Sequence, residues 1–226
     1  FFTFGGSVAK EVNCEVADYV FDDMNASQIS KVYAVHNSQH SEIWWFYPSA
    51  SSSEIDRYVI FNYEQKIWYV GSLTRTAWID HGVSEFPIAA SSDGYLYNHE
   101  TGNDDGSTNP ASAITAHIES SQIDIGDGDK FSFISRIIPD LTFRNSANSS
   151  EAIMTLKTRN APGGQYLQTD ATTVTKTASV PIEQFTQQAN VRLRGRSFAL
   201  RVESDSTGVA WRLGSPRIDV RPDGKR

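Results

Sequence analysis

An all-β fold is predicted, built from propeller-like blades of antiparallel strands that are followed by, or merge with, a sandwich-like module. Three observations predict it. Residues 42–71 hold three aromatic-rich strand segments separated by one serine-rich loop and one short polar turn. Strand-like runs then recur every eight to twelve residues, with Gly, Asn, Asp and Pro between them. Helical periodicity is almost absent.

Taken in order, residues 1–4 and 8–12 predict a hairpin around Gly5-Gly6, where glycine supplies the positive φ of a tight turn. Residues 16–29, with Val16, Tyr19, Val20 and Met24 as apolar points, suit a short helix or an irregular crossover. Four strands follow at 31–36, 42–47, 57–63 and 66–73, the content of one propeller blade or one sheet of a sandwich. The run Ile43-Trp44-Trp45-Phe46-Tyr47 does not alternate. It is apolar on both faces, so it requires a packed layer on each side. Trp44, Phe46, Tyr58, Ile60, Trp68 and, from the far end of the chain, Trp211 are the expected blade core. Segments 76–79, 86–90 and 94–98, turning at Asp93-Gly94, repeat the logic of the first hairpin.

Residues 99–110 (HETGNDDGSTNP) carry no apolar anchor and are the best linker candidate, either a boundary or a long surface loop. This divides the chain into a blade-like region, 1–110, and a sandwich-like region, 111–226, which could also complete the same propeller. In the latter, strands are expected at 113–125, 131–138, 152–159, 172–182, 190–194, 198–203, 209–213 and 217–221. A glycine turn is expected at 161–164.

With 226 residues, 39% hydrophobic and 21% charged, the chain can bury a sizeable core. No apolar run approaches the roughly 20 residues that span a bilayer as a helix. The single Cys14 excludes an intramolecular disulfide and a multi-cysteine zinc site. The absence of an initiating Met suggests a segment of a longer polypeptide. The net charge of −7 disfavours sequence-independent clamping of DNA. That charge is uneven: residues 1–191 hold 11 basic and 23 acidic side chains, whereas 192–226 hold 9 basic and 4 acidic. A basic surface for an acidic neighbour is the implied use.

No G-x-S-x-G elbow, H-E-x-x-H, phosphate loop or G-x-G-x-x-G signature occurs. Asp124, Asp127 and Asp129 alternate with small residues but miss the spacing of an EF-hand, so a turn is expected there. His36 and His40 flank a predicted hairpin loop and read as solvated, and His81, His99 and His117 have no recognisable partner. Ser92-Asp93-Gly94-Tyr95 is one loose copy of a sialidase-type aspartate box. No catalytic, cofactor-binding or metal-binding residue is assigned. One pattern is distinctive: Val191-Arg192-Leu193-Arg194-Gly195-Arg196 alternates strictly, placing Arg192, Arg194 and Arg196 on one strand face. Arg217, Asp219 and Arg221 form a second comb opposite Ile218 and Val220. These arginines are the expected partner-facing residues through their forked guanidinium groups. The alternative is that they bridge Glu203, Asp205 and Asp219 across strands.

Together, EIWWFYPSASSSEIDRYVIFNYEQKIWYVGSLTRTAW, IAASSDGYLYNHETG and the terminal VRLRGRSFALRVESDSTGVAWRLGSPRIDVRPDGKR resemble a family of tail nozzle (packaged-DNA stabilisation) proteins of short-tailed bacteriophages and prophages. The similarity spans most of the chain and matches a C-terminal part of such proteins, which are usually longer. The resemblance implies a non-enzymatic virion protein, assembled in the host bacterial cytoplasm. Identical subunits would form a ring at the distal tail, between portal and adaptor proteins on one side and needle or fibre proteins on the other. The ring would retain packaged DNA and then let it pass, with no cofactor and no membrane-spanning segment. An acidic lumen would keep phosphates from sticking. Two further classes are a carbohydrate- or receptor-binding tail module, using exposed members of Trp44, Trp45, Trp68 and Trp78, and a propeller-fold glycoside hydrolase. Contacts with DNA or a partner are expected in the turns, above all at residues 48–56.

Overall fold

In the computed structural model, which describes residues 1–146, 150–161 and 176–224, the first hairpin pairs β1 (Phe2–Phe4) antiparallel with β2 (Ala9–Glu11). Gly6, at φ 87°, makes the turn that a Cβ would disfavour. Residues 16–29 resolve into a seven-residue helix, α1 (Ala17–Asp23), and a 3₁₀ segment at Ala26–Lys31. Met24 ends α1 by going extended (ψ 130°), and the Asn25 side chain accepts the Ser27 N–H to restart helical turns. Only Val20 of α1 is buried, which suits a helix too short to hold itself without packing.

The aromatic stretch forms a four-stranded antiparallel meander: β3 (Tyr33–Asn37), β4 (Glu42–Tyr47), β5 (Arg57–Asn62) and β6 (Ile67–Ser72). The β5–β6 turn is set by Asn62, whose buried side-chain oxygen accepts the N–H groups of Glu64 and Gln65. Both faces of β4 are covered. On one, Trp44 and Phe46 pack with Ile55, Ile60, Tyr58 and Trp78. On the other, Tyr47 packs with Val20 and Val59, flanked by Trp45, Trp68 and Phe1. One of the two covering layers is therefore α1 with the N-terminal segment, not a second blade. The residues after β6 form a three-stranded antiparallel sheet, β7 (Ala77–Ile79), β8 (Ile88–Ala90) and β9 (Leu96–Asn98), turning at Gly94 (φ 88°).

The 48–56 loop is braced from within, while Ala50, Ser51, Ser53 and Glu54 stay exposed. Buried Ser49 donates both its N–H and its hydroxyl to the Asp56 carboxylate, each at 2.7 Å. The Asn25 amide donates to Ser52 O, and Lys31 Nζ reaches Ser53 O and Glu54 Oε1.

The chain divides into two compact units, Phe1–Thr101 and Gly102–Arg226, at a point inside the 99–110 segment. The second unit opens with β10 (Asp104–Asp105) and β11 (Ser112–Ala113), which pair with each other, then β12 (Ala116–Glu119) and β13 (Ile123–Asp124). The strand expected over 113–125 is thus three short pieces, and Ile114 and Ile118 are exposed. There follow β14 (Ser132–Ile138), β15 (Leu141–Phe143), β16 (Glu151–Arg159), β17 (Lys176–Glu183), β18 (Ala189–Gly195), β19 (Ser197–Ser204), β20 (Trp211–Leu213) and β21 (Arg217–Pro222). The glycine turn and the start of the 172–182 strand lie outside the described residues.

β12 and β13 pair with β19 in the sheet β12-β19-β16-β17, and a second sheet runs β18-β14-β21. Their inner faces meet as a sandwich core of Ile134, Ile137, Met154, Leu156, Ile182, Leu193 and Val202. Among the described residues all sheets are antiparallel and none closes on itself, and the protein is all-β. Trp211, expected in a blade core, instead packs half-buried against this sandwich core, its indole N–H donated to Ser204 Oγ at 2.9 Å.

Gly71 sits opposite Tyr58 in the β5–β6 register, and a Cβ there would lie 2.3 Å from the Tyr58 ring carbon Cζ and 2.2 Å from its hydroxyl oxygen. The aromatic ring covers the glycine, as happens where a bare strand position needs shielding. Gly71→Ala is expected to destabilise the first unit by about 1–3 kcal/mol through overpacking. Gly5→Ala, which meets nothing within 4 Å, is expected to be near neutral. Urea unfolding followed by tryptophan fluorescence checks both.

Candidate functional site

The outer face of the β18-β14-β21 sheet gathers five arginines: Arg136, Arg192, Arg194, Arg217 and Arg221. Inward positions alternate through Val191, Leu193, Ile134, Ile218 and Val220, all on the sandwich core. The positions between them face out. Register then sets the neighbours: Arg194, Phe133 and Arg221 form one row, and Asn190, Arg136 and Asp219 form another. Arg192 lies further along β18, and Arg217 stands opposite Ile138. The two arginine combs, separate in the chain, therefore flank one central strand, with outer strands about 10 Å apart.

The arginines differ in freedom. Arg194 is pinned: it ion-pairs with Asp223 through Nε, donates to Asp223 O at 3.2 Å, and stacks 3.9 Å above the Phe131 ring. Arg196 lies beyond the end of β18, in the link to β19, so it is not the third tooth of the comb. Its guanidinium stacks on the same Phe131 at 4.7 Å. Arg136 reaches Asp219 at 3.3 Å and Gln188 at 3.2 Å. Arg192, Arg217 and Arg221 are exposed and have no ion pair among the described residues. The expected bridges to Glu203 and Asp205 do not form from these arginines. Glu203 pairs instead with Arg201, which also holds Glu119 beside Lys157 on the other sheet.

Arg136 was not legible as a member of this face. A bulge between Ile134 and Arg136 shifts the strand's phase, so simple alternation assigns it wrongly. Five arginines against Asp219 and Asp223 make the face strongly positive, suited to carboxylates or phosphates.

In the first unit, the histidines read as solvated or unpartnered have partners. Asp80, in the loop after β7, accepts the Ser38 N–H at 3.1 Å, and its carboxylate lies 3.3 Å from His36 and 3.2 Å from His81. Burial raises the Asp80 pKa, but the hydrogen bonds from Ser38 and His81 outweigh it and hold the carboxyl below its ordinary value. Ser38, His81 and Asp80 are the residue types of a hydrolytic triad. However, both Ser38 Oγ (2.9 Å) and Asp80 Oδ1 face the same nitrogen, His81 Nδ1. A relay needs the two partners on opposite ring nitrogens, which this arrangement does not offer, and the group ties the loop after β7 to the β3–β4 turn. His40 meets Glu100 at 3.0 Å. Among the described residues, no group of three or more His, Cys, Asp and Glu side chains is arranged to hold a metal ion. Sequence could not show these pairs, since their members come from segments some 40 to 60 residues apart.

The blade residues Trp44, Phe46, Tyr58, Ile60 and Trp68 are all in the first unit's packed clusters. Trp44 is buried, while Trp45, Trp68 and Trp78 are half-buried. Trp44 stacks on Trp78 at 5.4 Å and Trp45 on Trp68 at 5.9 Å. No protein-family model matches the chain, and no curated protein is significantly similar to it.

His99 is the most strongly perturbed histidine. Burial, and then the neighbouring Arg75 guanidinium, push its pKa down to about 4. Arg75 Nε donates to His99 Nε2 at 2.9 Å, which requires the neutral ring. Below pH 6.5 the unfolded chain takes up a proton that the folded chain refuses until about pH 4. His99 therefore contributes stability above pH 6.5 that is lost as pH falls towards 4. Thermal unfolding from pH 7 to 4 is expected to show a falling midpoint. The slope should flatten in His99→Gln, which keeps an acceptor for Arg75 but does not titrate.

Proposed function

We propose that the chain is a non-enzymatic structural protein of a phage virion. In this reading, copies assemble into a ring that continues the tail channel, retains packaged DNA and permits its ejection. The observation that supports this most is where the aromatic motif is used. Trp44, Phe46, Tyr58 and Ile60 pack with Trp78 on one face, and Trp68 packs with Trp45 and Phe1 on the other, inside one unit, so the stretch that resembles the nozzle family serves architecture. A glycan-binding module needs a solvent-facing aromatic pair. A hydrolase needs converging acids or a working relay. The half-buried stacked tryptophans and the one-nitrogen Ser38–His81–Asp80 group favour neither.

Charge supports a self-assembling role. The first unit carries 13 acidic and 5 basic side chains, while the second presents the arginine face of β18-β14-β21. A ring made by head-to-tail contacts needs two different, complementary surfaces on each copy. An acidic surface elsewhere would let DNA pass without adhering, since tight phosphate binding requires dense cations. The partners in this reading are identical subunits, portal-side adaptors and distal needle or fibre proteins.

Electron microscopy of the purified protein is expected to show rings with a channel wide enough for duplex DNA. Replacing Arg192, Arg217 and Arg221 with Ala, all exposed and outside the core, is expected to lower the ring fraction at least tenfold with the circular dichroism spectrum unchanged. An unchanged ring fraction would remove the arginine face from the assembly.

A further inference from the structure

We propose that Tyr63 is a reactive phenol that accepts an acyl group from an activated ester, with His36 as its general base and Asp80 as the residue that positions the base. The proposal goes beyond ring assembly and does not depend on it.

His36 meets the condition that His81 fails, because its two ring nitrogens face different partners. Nε2 lies 3.2 Å from the Tyr63 hydroxyl, and Nδ1 lies 3.3 Å from Asp80 Oδ2. Asp80 is itself fixed: Oδ2 accepts the Ser38 N–H at 3.1 Å, and Oδ1 accepts the His81 N–H at 2.8 Å. With its pKa below the ordinary carboxylate value, Asp80 is ionised and can only accept. Nδ1 therefore carries the ring proton, and Nε2 presents its lone pair to the phenol. The Tyr63 O–H donates to it. A carboxylate behind the ring also stabilises the imidazolium that forms once that proton moves.

Three segments build this line of groups. His36 on β3, Ile43 on β4 and Phe61 on β5 stand in one cross-strand row. Tyr63 follows Phe61 by two residues, so it projects from the same face at the end of the sheet, where its N–H is pinned to Ser41 O at 3.0 Å. Asp80 arrives from the loop after β7. The Tyr63 and His36 rings lie 5.9 Å apart with 27° between their planes. Tyr63 is 40% exposed and His36 is exposed as well, so an electrophile reaches the phenol from solvent.

In the step, the phenol oxygen bonds to the ester carbonyl carbon while its proton passes to His36 Nε2. The bond from that carbon to the leaving oxygen then breaks, the leaving group takes the electron pair, and the imidazolium returns its proton to it or to water. The product is one O-acyl tyrosine per chain. Such a mark on a structural protein requires no turnover. Among the described residues no other tyrosine hydroxyl faces an imidazole: Tyr97 donates to the Asp93 carboxylate at 2.6 Å and Tyr33 to the Arg75 carbonyl at 2.9 Å, both weaker bases.

The test treats the whole chain with p-nitrophenyl acetate at neutral pH and follows acetylation of each tyrosine by peptide mass spectrometry. Tyr63 is expected to react at least about tenfold faster than Tyr95, although Tyr95 is the more exposed at 67%. His36→Gln keeps an acceptor for the phenol but is not basic, and is expected to bring Tyr63 down to the rate of Tyr95. Asp80→Asn, whose amide can turn an N–H towards Nδ1 and reverse the tautomer, is expected to slow Tyr63 by about tenfold. Tyr95 is the rate standard in every variant, and buried Tyr47 staying unlabelled reports that the fold is kept. If Tyr63 reacts no faster than Tyr95, or if His36→Gln leaves its rate unchanged, the reactive phenol is overturned. An unchanged rate in Asp80→Asn overturns the positioning role of Asp80.

Discussion

Strand β4 has no wet face, and the first unit is arranged around that fact. Trp44 and Phe46 point one way and Trp45 and Tyr47 the other, so each face must be covered. Every fully buried large side chain contributes about 1.5–3 kcal/mol, which makes leaving either face open untenable for a unit of 101 residues. The covering comes from different sources. Trp78, from the sheet that follows, closes one side; Val20 of α1 and Phe1 close the other. Two lateral neighbours satisfy the β4 backbone, and the indole N–H of Trp44 is donated to Glu42 at 2.9 Å, so the dense apolar packing leaves that polar group paired.

The same constraint explains why the Pro48–Asp56 connection is braced. The chain returns from β4 to β5 through a loop whose ends, Ser49 and Ile55, are buried while Ser51, Ser53 and Glu54 face water. Ser49 and Asp56 close the loop from within, and Asn25 and Lys31 tie it to the helical segment that covers the sheet. The loop thus couples the helix to the strands. Disturbing either side would loosen the apolar packing between them.

The second unit solves a different problem. Two sheets share one inner core, which leaves each with an outer face that need only be soluble. The larger sheet spends its outer charges on itself, with Glu119 shared between Lys157 and Arg201 and Glu203 closing the group. The smaller sheet does not: its arginines outnumber the carboxylates available to them. The second unit thus keeps an unneutralised arginine face, while the first unit carries an acidic excess.

Strand content, the order of the first ten segments and the two-sided burial of β4 were readable from residue type and periodicity. Those features are local: alternation, aromatic density and turn residues act within a few positions. Where Trp211 packs, the three-piece character of 113–125, the entry of Arg136 into the arginine face and the Asp80 pairings with His36 and His81 were not readable. Each depends on which strand becomes an edge, where a bulge shifts phase, or which distant loop lands beside β3. The sequence by itself determined that the chain is all-β with a strand buried on both sides. Only the tertiary structure decided that two arginine combs share one sheet, because cross-strand register is set by packing the opposite, apolar face.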